Sequence, residues 1–114
     1  MMLVKGDVVL VPFPFTDLTQ TKIRPAVVLW SSPSNMDTLL CFVTSQLSVP
    51  ALPSDVLIEE TEPEFASTGL RVSSRIRTLR MMSLDRGLVL RRLGTLGPQT
   101  LQQVNIVLKQ ALQL

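Results

Sequence analysis

The pattern of apolar and polar residues predicts a series of short β-strands followed by one helix. Apolar runs rich in β-branched residues predict strands over residues 7–13, 24–31, 38–45 and 55–58. Alternation over 70–79 and a last apolar run over 87–93 predict two more strands, and 62–66 is expected to form one helical turn. Polar residues and prolines predict the loops between them, including a long one over 15–23.

The C-terminal segment has the clearest pattern. Pro98 follows Gly97 and suits the first position of a helix, and Leu101, Val104 and Leu108 then recur at helical spacing. Short strands closed by one amphipathic helix predict a mainly β (β plus α) fold, an SH3-like small barrel of about 5–7 antiparallel strands with a C-terminal α-helix. The length of 114 residues predicts a single domain over 1–114.

Composition narrows the chemistry that the chain can perform. It contains no histidine and one cysteine, Cys41, which lies in an apolar run and is expected to be a buried thiol in the reducing cytoplasm. The lack of histidine excludes histidine bases and Ser-His-Asp triads and argues against a zinc site. No glycine-rich phosphate loop or long apolar span is present, so we expect no cofactor, no metal and no membrane segment.

Charge is unevenly distributed along the chain, although the net charge is only +2. Residues 71–92 contain seven arginines and no lysine, with Asp85 as their only acid, while 59–64 contains four glutamates. Arginine is the better forked ligand for phosphate, so the bias indicates an anionic partner. A solvated strand face that keeps the protein soluble explains the same bias, and both interpretations remain open.

Three stretches, in this order, resemble one known family. They are residues 6–13 (GDVVLVPF), 24–29 (RPAVVL) and 43–46 (VTSQ), and they are followed by GL at 69–70, RTL at 77–79, LD at 84–85 and the terminal helix. Each piece alone is common, but their order and spacing over essentially the whole chain resemble the PemK/MazF toxins of type II toxin–antitoxin systems.

The resemblance implies both an activity and partners. It implies a cytoplasmic, metal-independent endoribonuclease that cuts single-stranded RNA, with messenger RNA the expected target, at short sequence motifs. The 2′-hydroxyl would attack the adjacent phosphorus and leave a 2′,3′-cyclic phosphate and a 5′-hydroxyl. It also implies a homodimer and a cognate acidic antitoxin that neutralises the toxin, with indirect contact to DNA through that antitoxin.

Arg24 and Thr44 are the candidate catalytic residues. In-line attack needs donors that neutralise the phosphorane oxygens, and Arg24, where the polar loop meets the second strand, offers a forked set. Thr44 ends an apolar strand and its hydroxyl can donate to a phosphate oxygen. The resemblance also assigns the matching arginine an acid–base role, and which residue is acid and which is base stays open. Without the resemblance, the favoured interpretations are an exposed strand-end arginine for Arg24 and a residue chosen for strand propensity for Thr44.

The candidate substrate-binding residues lie in three places. Thr16, Asp17 and Thr19 are in the first loop, where Thr19 falls near a family serine, and Ser45 and Gln46 follow the third strand. The last two are Arg75 and Arg77. Some family members carry an acid and a glutamine where this chain has residues 73–77 (SSRIR), and we take Ser74 and Arg75 as the matching positions. We therefore expect different base recognition, with Arg75 stacking on a base or holding a phosphate.

Two rival functions share the predicted fold. One is a barrel that binds RNA or an antitoxin without cutting, and the other is a toxin that targets gyrase. The pairing of Arg24 with Thr44 favours the nuclease over the first rival. No sequence feature supports the second.

Overall fold

The computed structural model describes residues 1–14 and 21–114, apart from the side chains of residues 14 and 21. Two short 3₁₀ turns, Ala66–Thr68 and Arg86–Leu88, connect strands. The regular elements are β1 (Asp7–Pro14), β2 (Thr21–Ser31), β3 (Asp37–Thr44), β4 (Asp55–Ile58), β5 (Ser74–Asp85), β6 (Arg91–Thr95) and α1 (Pro98–Leu112). Within the described residues, no helix is long and apolar enough to cross a membrane.

The six strands of the described chain form one antiparallel sheet in the order β4-β5-β3-β2-β1-β6. The pairing shifts register at three places, between β1 and β6, β2 and β3, and β3 and β5. Such irregularities bend and twist strands, and here they accompany a sheet that curls into a half-barrel. The predicted mainly β fold with a terminal helix is therefore confirmed.

Both faces of the sheet centre are covered, which explains the continuous apolar run in β1. Val8 faces a core that includes Val104 and Val107 of α1, whereas Val9 and Val11 face a second core on the opposite side. Alternate residues of a strand point to opposite faces, so a strand buried on both sides must be apolar throughout. Cys41 is fully buried in the first core, as predicted, and burial raises its pKa to about 12, which keeps the thiol protonated.

The structure places several strand boundaries differently from the sequence prediction. β2 begins at Thr21, three residues inside the predicted loop, because residues 21–23 pair with the end of β1. The strand predicted over 70–79 instead spans Ser74–Asp85, since residues 70–73 follow a 3₁₀ turn and the strand continues past an irregularity. The run over 87–93 overlaps the turn Arg86–Leu88, so β6 begins only at Arg91.

Glu64 caps the N-terminus of α1 from a distant part of the chain. Its carboxylate accepts hydrogen bonds from the backbone N–H groups of Gln99 and Thr100 at 3.1 and 3.0 Å, and from the Thr100 hydroxyl at 3.0 Å. A Cβ atom at the N-cap residue Gly97 would lie 2.3 Å from Glu64 Cδ, so the carboxyl occupies the space that a capping side chain would use. The Thr100 N–H bond, aided by those from Gln99 N–H and the Thr100 hydroxyl, lowers the pKa of Glu64.

Glu64→Gln is expected to lower the melting temperature at pH 7, because the amide carries no charge to offset the helix N-terminus. A lowered folded-state pKa adds stability only above the ordinary glutamate value, and this contribution is lost as pH falls through the folded-state pKa. Thermal denaturation should therefore show a gap between wild type and variant at pH 7 that narrows towards pH 3. Glu59→Gln, at an exposed acid in the same segment, is the control and should change little. A gap of equal size at both pH values would contradict the capping role.

Candidate functional site

A cleft of about 440 Å³ opens beside the ends of β1, β2 and β3 and the middle of β5. We call it the arginine cleft, because the charged side chains that line it in the described part of the chain are all arginines. Its lining residues are Phe13, Arg24, Phe42, Val43, Thr44, Gln46, Arg77, Arg80, Met81 and Met82. The cleft therefore combines a positive rim with an apolar floor, a mixture that suits a nucleotide more than an apolar ligand.

Arg24 and Thr44, the two predicted catalytic residues, both line this cleft. Ala26 on β2 pairs with Phe42 on β3 at the end of the pairing between these strands, and Arg24 and Thr44 each lie two residues beyond that pair. Residues two apart on a strand share a face, so the two side chains lie on the side of the sheet that carries Phe42. Because both side chains line the same cleft, both can face one bound group.

The Thr44 side chain is oriented by the backbone that follows it. Its Oγ1 accepts a hydrogen bond from the N–H of Gln46 at 3.1 Å. A hydroxyl that accepts in this way can still donate its own hydrogen, here to an oxygen atom in the cleft. The same contact fixes the first turn after β3 and so helps to place Gln46 in the lining. Ser45 is exposed between them and is absent from that lining.

Arg77 is positioned by a buried acid, Asp55. The Arg77 Nε lies 3.2 Å from Asp55 Oδ1, and the two side chains are 18% and 3% exposed. The distance is that of an ion pair, although Nε makes no well-aligned hydrogen bond within the described residues. Asp55 Oδ2 accepts from the N–H of Leu52 at 2.9 Å, which fixes the carboxylate. The Arg77 side chain therefore lines the cleft while it is largely buried and paired with Asp55.

Arg75 lies outside the cleft lining and contacts the loop after β3. Its side chain is 9% exposed, and its Nη1 and Nη2 donate to the carbonyls of Val49 and Leu47 at 2.7 and 3.4 Å. Its Nε lies 4.0 Å from Asp55 Oδ2. Base stacking or phosphate binding by Arg75 stays a prediction. The contacts observed instead hold the segment that follows Gln46.

The remaining predicted residues, Thr16, Asp17 and Thr19, lie outside the described residues. The structure adds Arg80, Phe13, Phe42, Met81 and Met82, which sequence reasoning did not assign to the site. The Phe13 and Phe42 rings pack edge to face, with centroids 4.5 Å apart. Arg80 belongs to the arginine-rich segment, the one sequence signal that could have identified it.

Across the described residues, no three acidic, cysteine or histidine side chains form a group suited to a metal ion.

The fold is that of MazF-like toxins. Three solved structures are similar over nearly their whole length. The first is an endoribonuclease in complex with its cognate antitoxin from a mycobacterial species, with 16% identity and a TM-score of 0.76 over 99% of this chain and 97% of that one. The second is Mycobacterium tuberculosis toxin MazF-mt6, with 16% identity and a TM-score of 0.68 over 93% of this chain and 97% of that one. The third is MazE-MazF from Deinococcus radiodurans, with 23% identity and a TM-score of 0.70 over 96% of this chain and 95% of that one.

Sequence comparison identifies the family itself. The model described as "PemK-like, MazF-like toxin of type II toxin-antitoxin system" matches residues 4–112. The chain therefore belongs to the PemK/MazF toxin family. A search of curated protein sequences found no match.

Proposed function

We propose that this protein is a metal-independent endoribonuclease toxin that cuts single-stranded RNA, with messenger RNA as its target, in the arginine cleft. The observation that carries the proposal is that Arg24 and Thr44 line one cleft together with two further arginines. Membership of a toxin family supports it, as do the similar structures that are named endoribonucleases.

The reaction is proposed to be an internal transesterification. The ribose 2′-oxygen forms a bond to phosphorus while the bond to the 5′-oxygen of the next nucleotide breaks, which leaves a 2′,3′-cyclic phosphate and a 5′-hydroxyl. The 2′-hydroxyl loses its proton and the departing 5′-oxygen gains one, so the step is balanced without an added co-reactant. Negative charge grows on the non-bridging oxygens, and forked donors stabilise it there.

Arg24 and Thr44 have complementary parts in this step. The Arg24 guanidinium donates two parallel hydrogen bonds to the non-bridging oxygens and neutralises their charge. Thr44 donates a third through its hydroxyl, which the Gln46 N–H contact orients. Water is proposed to carry the protons, since a guanidinium stays charged and is a poor base. The apolar floor around Phe13 and Phe42 would receive a base or ribose face.

The proposed partner is a cognate antitoxin with an acidic segment. Two of the similar structures are named as complexes with an antitoxin or with MazE, and the arginine rim of the cleft is complementary to acidic side chains. Such a segment would cover the cleft and exclude RNA, and through its own DNA-binding part would bring the toxin to DNA. A homodimer, in the cytoplasm, is proposed as the active form.

Cleavage of a long single-stranded RNA in excess EDTA tests the activity together with the part played by Thr44. Wild-type protein is expected to cut, with 5′-hydroxyl and cyclic-phosphate ends at the cut sites. Thr44→Val removes the hydroxyl but keeps the β-branched shape, so we expect kcat to fall by roughly 10²-fold, the loss typical of one oxyanion donor. Thr44→Ser keeps the hydroxyl and should retain most of the activity. Cleavage that requires added magnesium, or a Thr44→Val variant as active as wild type, would overturn this mechanism.

A further inference from the structure

The pairing between β3 and β5 contains an irregularity beside the cleft. Cys41 and Phe42 are consecutive on β3, but their partners on β5, Met81 and Arg77, are four residues apart. Three residues of β5, numbers 78–80, are therefore left without a partner on β3. Bulged residues change the direction of the side chains that follow them, and bulges recur next to functional sites.

The three bulged residues point to three different surroundings. Thr78 is fully buried, and its hydroxyl donates to the carbonyl of Ser54 at 2.6 Å, which fixes the bulge to the segment before β4. Leu79 is 45% exposed and lines a separate surface pocket together with Val107 of α1. Arg80 is exposed and lines the arginine cleft. The bulge, which lies between Arg77 and Met81 in the sequence, thus adds the cation of Arg80 to the cleft.

Arg80 enters the cleft from a different side than Arg24. Arg24 lies on β2 and Arg80 on β5, and β3 with Phe42 runs between them. Neighbouring paired strands are about 4.8 Å apart, so β2 and β5 are separated by roughly 10 Å where both pair with Phe42. If Arg24 and Thr44 hold one phosphate, Arg80 can contact a different group of the same RNA strand.

We infer that Arg80, presented by the bulge and fixed through Thr78, binds a second phosphate of the RNA adjacent to the one that is cut. This inference rests on the proposed function, because it assigns part of the same cleft to the same substrate. Arg77, which already pairs with Asp55, would contribute less charge to this subsite than Arg80. The role is one of substrate binding, so its loss should raise KM more than it lowers kcat.

Salt-dependent binding of an RNA that cannot be cut tests the inference directly. A fluorescent 2′-O-methyl RNA would be titrated at several salt concentrations, and log Kd plotted against log salt. Each phosphate neutralised on a single strand contributes about 0.7 to the slope, so Arg80→Ala should bind several-fold more weakly and lose about 0.7 of slope. Arg91→Ala removes an exposed arginine outside the cleft lining and should match wild type. Arg80→Lys should restore the slope.

The failures of the two proposals are distinguishable. Wild-type protein that neither binds nor cuts RNA would overturn the proposed function. Wild-type protein that binds and cuts, with the same slope in Arg80→Ala, would overturn only the second phosphate subsite. If Arg80→Ala binds RNA normally but loses affinity for a polyglutamate peptide, Arg80 serves an acidic protein partner and the RNA subsite is wrong.

Thr78→Val tests whether the bulge positions Arg80. The variant removes the hydrogen bond to Ser54 and should weaken RNA binding in the wild-type background. In the Arg80→Ala background it should cause no further loss of binding, because the group that it positions is already absent. Equal losses of affinity in both backgrounds would show that Thr78 acts on general stability instead.

Discussion

Arg24→Ala is expected to lower kcat for RNA cleavage by roughly 10²–10³-fold, the largest effect on activity among the cleft residues. The substitution removes the forked donors from the non-bridging oxygens, whose charge grows only as the reaction proceeds. Arg24 is partly exposed near the start of β2, so the fold should survive its loss. Single-turnover cleavage of a defined oligonucleotide measures the effect separately from product release.

Two variants sharpen that measurement. Arg24→Lys keeps the charge but offers no forked geometry, and its kcat should lie between those of wild type and Arg24→Ala. Arg91→Ala changes an exposed arginine outside the cleft lining and should cleave as wild type does. An Arg24→Ala variant with the kcat of wild type would remove Arg24 from the reaction.

Asp55→Ala is expected to lower the free energy of unfolding by about 3–5 kcal/mol, the cost of leaving buried charges without their counter-ion. Arg75 and Arg77 approach the same carboxylate from neighbouring positions of one strand face, and both are largely buried. The N–H of Leu52 would lose its acceptor as well. Urea denaturation measures the loss as a lower midpoint concentration of urea. An unchanged dependence of the unfolding free energy on urea concentration would show that the loss is one of stability.

Asp55→Asn separates charge from hydrogen bonding, because its amide oxygen can still accept from Leu52. If the ion pairs with Arg75 and Arg77 are the main source of the stability lost in Asp55→Ala, Asp55→Asn should lose most of the same stability. Asp37→Ala, at an exposed acid on β3, is the matched control, and a surface change of this kind typically alters stability by no more than about 0.5 kcal/mol. Asp55→Ala with the stability of that control would show that the arginines do not need this acid.

The terminal helix and several strands could be predicted from local patterns. β4 spans the predicted residues 55–58, and α1 begins at the predicted Pro98. β5 was misplaced because its boundaries depend on distant partners: its middle bulges against β3, and its continuation to Asp85 pairs with the start of that strand. Alternation along one segment contains no information about such a register shift.

The candidate site shows the same limit. Arg24 and Thr44 could be proposed because each stands at the end of an apolar strand within a family motif. Arg80 could not, since only the bulge directs it into the cleft. The contacts of Arg75 with Val49 and Leu47 depend on a loop 26 and 28 residues away in sequence, which no local pattern records.

The arginines of this chain have different surroundings. We propose that Arg24 acts at the scissile phosphate and Arg80 at the neighbouring one, whereas Arg75 and Arg77 pair with Asp55. Segment 71–92 is therefore not a uniform charged face, because some of its cations support the structure and others face the cleft. Substitutions within it should separate into losses of stability and losses of substrate binding.

An RNA that lacks one 2′-hydroxyl tests the central claim most directly. A short single-stranded RNA containing one cut site would be prepared with 2′-deoxyribose at the nucleotide immediately 5′ to that site, and incubated with wild-type protein in excess EDTA. We predict that this RNA stays intact and inhibits cleavage of the unmodified RNA with an inhibition constant near the KM, since only the attacking oxygen is missing. Cleavage of the deoxy-substituted RNA at the unmodified rate would contradict transesterification in the arginine cleft.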